Sequence, residues 1–413
     1  MTPSFTDPSL SLVLFDDAVA AKWEPFALTR PTGELLFGTL RLRERAERVF
    51  GARCIAHLAA GHLRGFEEAG APPVLTHADA PADGDRLFLS SRAVPDWTAG
   101  EDWRSQRDPG PVCIAGKVVG WYAPTGTPAP SPDFLATPES AEDGGDELEG
   151  TVLEHVWELM SRNPAQISED VAGLFPDREK TALPAGVWAF GEHPVILGER
   201  AIVEPGVVFD TSSGPVWLDE GSRVRALSRV EGPVYLGRGS TILGGTVVQA
   251  SIGPVCKIRG EFAESVALGW ANKAHDGHIG HAYLGAWVNL GAGTTNSDLK
   301  NNYSPVRLWT PEGDADTGEL FIGCFLGDHV KTGIGLLLNT GTVVGAGSNL
   351  YGAAMPPKYV PPFSWGTGSE LSAYRVDRFL QVAERAMARR KIALTDGMRR
   401  QLEVAWERAR GGS

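Results

Sequence analysis

The chain has 413 residues, 42% of them apolar, which is enough for packed cores and too many for a disordered chain. A formal net charge of -13 argues against a protein whose main task is electrostatic binding of nucleic acid, while leaving room for local basic pockets that hold phosphate. Cys54, Cys113, Cys256 and Cys324 lie far apart, the start lacks a basic signal segment, and no apolar run nears the ~18 residues of a membrane span; these features point to reduced thiols, no cysteine zinc site and a cytoplasmic protein.

In chain order, "SLVLF" (11–15) reads as a buried strand, and "GTLRLRERAERVFG" (38–51) reads as a helix ended by Gly51. "RCIAHL" (53–58), "DRLFLSS" (85–91) and "PVCIAGKVVGWY" (111–122) read as further strands, so the first part is α/β. Residues 123–150, rich in Pro, Gly and acid, read as a flexible insertion, and "LEHVWELMSRN" (153–163) as a helix leading out of the domain. The first domain is expected over 1–182.

From 183 the period changes. Leu218, Val224, Val230, Leu236, Ile242 and Val248 recur every sixth residue, as do Leu326, Thr332, Leu338, Val344 and Leu350, with Gly following at 327, 333 and 345. Leu197, Val203 and Phe209 form a shorter series, and Ile252–Ile258 and Leu284–Leu290 keep the step with shifted phase. A six-residue aliphatic period with small corner residues fits a solenoid of three short strands per coil, a left-handed parallel β-helix over 183–365. Loops or extra turns are expected near 209–218, 248–252 and 264–284. Residues 366–413 complete the chain with helices: Ser369 can cap one bearing Val376, Phe379, Leu380, Ala383 and Met387, and Thr395 can cap another bearing Leu402 and Trp406. They can close the solenoid end, or Arg389, Arg390 and Lys391 can grip an anionic ligand.

The stretch "NKAHDGHIGHAYLGAWVNLGAG" (272–293) carries His275, His278 and His281. On a regular coil, residues six apart face different sides, so one chain would not gather all three round one ion; a zinc site between subunits stays open. A neutral imidazole, with an ordinary pKa of about 6.5, suits proton removal from an attacking amine.

Four phrases, "IGPVCKIRG" (252–260), "NKAHDGHIGHAYLG" (272–285), "VNLGAGTTNSDLKNNYS" (288–304) and "FLGDHVKTGIG" (325–335), give the chain its family likeness. It resembles the bifunctional bacterial enzyme that makes UDP-N-acetylglucosamine from glucosamine-1-phosphate, and more nearly a divergent branch of sugar nucleotidyltransferases. The resemblance implies that Arg259 holds the sugar phosphate, that His275, 14 residues before Asn289, is the general base, and that Asn289 is the family asparagine of the "NLGAG" phrase. The family's tyrosine three residues after the base is His278 here, and Lys273 is the nearest stand-in for its lysine. Asn296, Asp298, Lys300 and Asn302 occupy the loop that would meet the amino sugar.

The likeness extends to "FDDAVAAKWEPFALTRPTGELLFGTLRLRERAE" (15–47), where the family's Gly-x-Gly phosphate loop is missing and Arg30, Arg41 and Arg43 are the surviving cations. In "RLFLSSRAVP" (86–95), Arg92 stands near the family's magnesium-binding aspartate, which leaves Asp16, Asp17 or Asp170 as carboxylates for Mg²⁺. The resemblance implies acetyl-CoA as co-substrate, a sugar phosphate as acceptor, UTP or dTTP for the first domain, and a homotrimer. Two other readings remain: a nucleotidyltransferase with the solenoid as trimeriser, or a non-enzymatic sugar-nucleotide sensor or scaffold.

Overall fold

The computed structural model describes residues 6–138, 145–176, 182–368 and 370–411. Seven strands form the first sheet in the order 146–148, 110–114, 117–123, 85–90, 10–15, 53–58, 74–75. Leu10–Phe15 is central and pairs in parallel with both neighbours. Both its faces are covered: Leu12 and Leu14 pack on one side, Val13 and Phe15 on the other, and a near-continuous apolar run is what such a strand requires.

The run expected as one strand over 111–122 is a hairpin, Gly110–Ile114 with Lys117–Ala123. Its two loop residues, Ala115 and Gly116, both take positive φ (51° and 72°), the conformation that turns a right-twisted strand pair tightly. The helix expected over 38–51 is Leu42–Phe50, ended by Gly51 at φ 59°, and the residues before it form a small hairpin, Leu36–Phe37 with Leu40–Arg41. Part of the insertion is ordered: Ser131 caps the short helix Pro132–Ala136, and Asp146–Leu148 joins the sheet edge. The helix expected over 153–163 is displaced along the chain to Glu158–Ser161 and Asn163–Leu174, because Pro164 opens a new first turn.

From Trp188 to Gly366 the chain winds as a parallel β-helix with the expected six-residue period. The first strand column runs in parallel from Val195–Leu197 to Tyr359–Val360. The second begins at Ile202–Val203 and continues through Arg223, Thr241, Lys257, Asn272, Asn289, Lys331 and Asn349. The third includes Val208–Asp210, Ser228–Glu231 and His278–Gly280.

Leu218, Val224, Val230, Leu236 and Ile242 all lie in one buried core, as do Leu326, Leu338, Val344 and Leu350. The first series breaks at its last member: the register slips between Ile242 and Gly245, and Val247 rather than Val248 enters the core. A longer excursion between Leu284 and Leu326 carries the antiparallel hairpin Arg307–Thr310 with Gly313–Asp316. Two residues ahead of each second-column strand the corner residue takes positive φ, as at Trp270, Trp287, His329 and Gly347.

The first domain lies along the solenoid's flank. Outward-facing Val266, Tyr283, Phe325 and Val343 of the first column share a core with Trp23, Phe26, Leu36 and Trp157. Tyr283 Oη accepts from the Leu36 amide at 2.9 Å and donates to the Leu36 carbonyl at 3.0 Å. Farther along, Ile167 and Val171 pack on Ile196, Trp217 and Tyr235.

At the far end, Leu371–Ala373 pairs antiparallel with Ser364–Gly366 and so covers that edge. Helices Val376–Ala388 and Asp396–Gly411 then pack on Phe363, Tyr374 and Leu28, tying the cap to both other parts. Thr395 Oγ1 accepts from the Met398 amide at 3.1 Å, the expected cap. The proposed cap at Ser369 lies outside the described residues. Among the described residues, no helix is long and apolar enough to cross a membrane.

Candidate functional site

Asp16 and Asp17 follow the central strand of the first domain, where a parallel sheet presents its strand ends to a ligand. Both are buried and engaged. Asp16 accepts from the Ser91 hydroxyl at 2.7 Å and the Thr32 amide at 3.1 Å, and burial pushes its carboxyl up to about 6. Asp17 accepts from the Ala20 amide at 2.8 Å, Ser90 Oγ at 2.8 Å and Arg92 Nε at 3.0 Å. Arg92 also donates to the Leu153 carbonyl and Glu154. Its guanidinium therefore stands against Asp17 where a metal cation would compete.

Asp170 is bound by Arg45 and by the amide and hydroxyl of Thr39. Among the described residues, no group of three His, Cys, Asp or Glu side chains could hold a metal ion. The residues present do not fit Mg²⁺.

The three arginines expected to meet nucleotide phosphates are also committed. Arg30 pairs with Asp328 at 2.9 Å and Glu68 at 2.8 Å, Arg41 with Glu34 and Glu68, and Arg43 with Glu34 at 2.5 Å and Glu47 at 2.7 Å. Glu34 is fully buried and also holds His57 at 2.8 Å. Burial alone would raise the Glu34 carboxyl, but Arg43, His57 and Arg41 outweigh it and hold it well below the usual carboxylate range. These pairings are hidden in the sequence, since Arg30 and Asp328 lie in different domains and nothing local marks Glu34 as the shared partner of Arg41, Arg43 and His57.

On the solenoid, the strand Asn272–Lys273 ends in the corner that carries His275. Lys273 is buried, and its ammonium donates to the carbonyls of Arg259, His275 and Gly277 at 2.5, 3.1 and 2.7 Å. Burial brings its pKa down to about 8. It ties the corner together and is not open to a substrate. His275 is exposed, and Arg259, also exposed, donates to Asp276 at 3.1 Å.

His278 and His281 part company with His275 and converge on one carboxylate. Asp298 Oδ2 lies 2.9 Å from His281 Nδ1 and 3.4 Å from His278 Nε2, while Glu264 and Glu261 meet the far ring nitrogens at 3.2 and 3.3 Å. Burial opposes protonation of His281, but Asp298 and Glu264 prevail and raise it to about 9; His278 is raised chiefly by Asp298. His281 is therefore cationic at neutral pH, and His278 is shifted in the same direction.

The other loop candidates serve the backbone. Asn296 exchanges two hydrogen bonds with Gly280, Lys300 donates to the Pro305 carbonyl, and Asn302 accepts from Ser304.

Asn289 sits in the second column between Asn272 and Lys331. Asn272 donates its side-chain amide to Asn289 Oδ1 at 2.9 Å, and Asn289 lines a cavity of about 410 Å³ beneath the first cap helix. His275 lies three residues beyond Asn272, about 10 Å along an extended chain. The corner with His275 and Arg259 and the cavity with Asn289 thus lie on neighbouring coils, joined by the stacked second-column residues Lys257, Asn272 and Asn289.

Residues 12–179 match the family model described as sugar nucleotidyl transferase. A bifunctional sugar-1-phosphate nucleotidylyltransferase/acetyltransferase of Sulfurisphaera tokodaii is 30% identical over 95 residues, covering 23% of this chain and 24% of that protein. The bifunctional protein GlmU of Stenotrophomonas maltophilia is 27% identical over 236 residues, covering 52% of this chain and 46% of the relative. The matches thus span about a quarter and about half of the length of these curated relatives. Among solved structures, an Arabidopsis UDP-N-acetylglucosamine acyltransferase aligns with 51% of this chain and 80% of its own at 13% identity and a TM-score of 0.32. The first domain is thus similar to the sugar nucleotidyl transferase family over residues 12–179.

Proposed function

We propose that the chain is an acyltransferase that moves an acetyl group from acetyl-CoA to the amine of an amino-sugar phosphate, with the reaction on the solenoid. The observation that carries this reading is the contrast among the three histidines. His278 and His281 are each engaged by two carboxylates, whereas His275 has no carboxylate partner among the described residues and is exposed near Arg259. A base must be free to accept a proton, and His275 is the member of the trio placed to do so.

In the proposed step the amine nitrogen attacks the thioester carbonyl carbon. The N–C bond forms, the C–S bond breaks, His275 takes the amine proton, and the sulfur leaves to become the free thiol on protonation. Arg259 binds the sugar phosphate, and Asn289 orients the acceptor or the acetyl group. A homotrimer, with the donor in a cleft between protomers, belongs to the same reading. The likeness to bifunctional relatives supports it, as does the hexapeptide-repeat scaffold.

The first domain matches the sugar nucleotidyl transferase family model, but its acids and arginines neutralise one another. The reading therefore assigns it an architectural role and no Mg²⁺-dependent nucleotidyl transfer. The test is one reaction containing glucosamine-1-phosphate, acetyl-CoA, UTP or dTTP and magnesium, with thiol and pyrophosphate followed separately. Thiol release without pyrophosphate is expected. Pyrophosphate release without thiol would favour the nucleotidyltransferase reading. Tight nucleotide-sugar binding with neither product would favour the sensor.

A further inference from the structure

The cavity under the first cap helix has a composition unlike its surroundings. Lys257 and Lys331 line it from the second strand column, and Arg385, Arg389 and Arg390 line it from the helix Val376–Ala388 and the residues just past its end. Among the described residues, no aspartate or glutamate lines it. None of Lys257, Arg385, Arg389 and Arg390 pairs with a carboxylate among the described residues, although the chain carries a net charge of -13.

The arrangement follows from two periodicities. Lys257, Asn272, Asn289 and Lys331 stack because equivalent residues of successive coils pair in register. Val382, Arg385, Ala386, Arg389 and Arg390 lie on one helix face by their three- and four-residue spacing, while Phe379, Leu380, Ala383 and Met387 are buried against the rest of the protein. The helix thus presents its cations to the column instead of to open solvent.

Three arginines offer planar forks that match phosphate oxygens, and Lys257 adds a compact charge. Lys331, whose ammonium donates to the Trp287 carbonyl, has its pKa brought down to about 7 by burial and gains its proton as an anion arrives. The like charges of Lys257, Arg385, Arg389 and Arg390 round one space repel each other, and an anion with several charges relieves that repulsion. At about 410 Å³ the cavity falls in the range of small-molecule sites, about 300–1,000 Å³, so it has room for two phosphates and part of an organic group. The stacked indoles of Trp270 and Trp287, 5.1 Å apart, also line it and offer an aromatic wall.

We propose that this cavity is a binding site for an organic diphosphate, built within one chain by the solenoid column and the first cap helix. The assignment does not depend on His275 acting as a base. Coenzyme A and nucleoside diphosphates share the required chemistry.

Isothermal titration calorimetry of the full chain tests it, with inorganic pyrophosphate, coenzyme A and UDP as probes. Pyrophosphate is expected to bind and to be displaced by coenzyme A or by UDP, the tighter competitor naming the source. The double variant Arg385→Gln/Arg389→Gln should weaken pyrophosphate by about tenfold or more for each arginine, while His275→Ala should bind it as the wild type does. If the double variant misfolds, as its circular dichroism would reveal, Lys257→Gln serves in its place. Absence of binding by all three probes at millimolar concentration, or unchanged affinity in the folded variants, would overturn the site. Loss of acetyl transfer in His275→Ala with pyrophosphate binding retained would separate this site from the catalytic reading.

Discussion

Two groups of cations in this protein look alike in sequence and differ in the fold. Arg30, Arg41, Arg43 and Arg92 of the first domain are buried, and each is neutralised by carboxylates from Asp17, Glu34, Glu47, Glu68 or Asp328. Lys257, Arg385, Arg389 and Arg390 surround a cavity that has no acid in its lining. The difference teaches that the charge of a side chain says little about ligand binding until its partner is known. The first group has become structural, joining the nucleotidyltransferase-like domain to the solenoid through Arg30 and Asp328. The second is left with charge to offer.

The sharpest way to break this comparison is to remove a partner from the first group. Glu34→Ala leaves Arg41, Arg43 and His57 without their shared carboxylate in a buried site, and should cost about 3–5 kcal/mol in urea unfolding. A loss under 1 kcal/mol would mean that water or a ligand reaches these arginines and that the site is open. On the solenoid, His275→Ala should lower kcat for acetyl transfer by about 10²–10⁴ with the melting temperature unchanged. Full activity in that variant would remove His275 from the mechanism.

The histidine cluster supplies a smaller effect with a defined pH window. The folded pKa of His281 is raised to about 9 from an ordinary value near 6.5, so its contribution is complete below about 6.5 and is lost as pH rises through 9. Asp298 is depressed, so its contribution is complete above its ordinary value of about 4 and is lost at lower pH. The stability difference between wild type and Asp298→Asn should therefore be greatest between about pH 4 and 6.5, at about 1.5–3 kcal/mol. A difference that grows above pH 9 would contradict the ion pairs. The smallest effect belongs to the second group of cations. Arg389→Ala removes a like-charged neighbour four residues from Arg385 and should change stability by no more than about 0.5 kcal/mol, with a slight gain expected. A loss above 2 kcal/mol would reveal an unseen partner and weaken the case for the diphosphate site.

Much of the solenoid was legible because an inward-pointing residue every six positions is a repeated constraint, and Leu218 to Ile242 obey it. The slip at Val247 was hidden because Gly244 and Gly245 allow an irregular corner without disturbing the apolar pattern on either side. The docking of the first domain was not legible. Trp217, Tyr235 and Tyr283 face outward, and nothing local marks an aromatic residue as covered by a distant segment. The 14-residue spacing from His275 to Asn289 could not show that one sits on an exposed corner and the other on the next coil, under the cap helix. Lys273 was open to misreading because its three acceptors are backbone carbonyls, which every sequence contains. Arg389 and Arg390 were visible as candidates for anion binding, whereas the strand column that completes their cavity appears only once the coils are stacked.

Hydrogen–deuterium exchange with coenzyme A or UTP compares the two cation groups in a single experiment. Ligand-dependent protection should appear across 382–390 and around Lys257 and Lys331, with 30–43 and 91–92 unchanged. Protection of 30–43 with none on the cap helix would contradict the account.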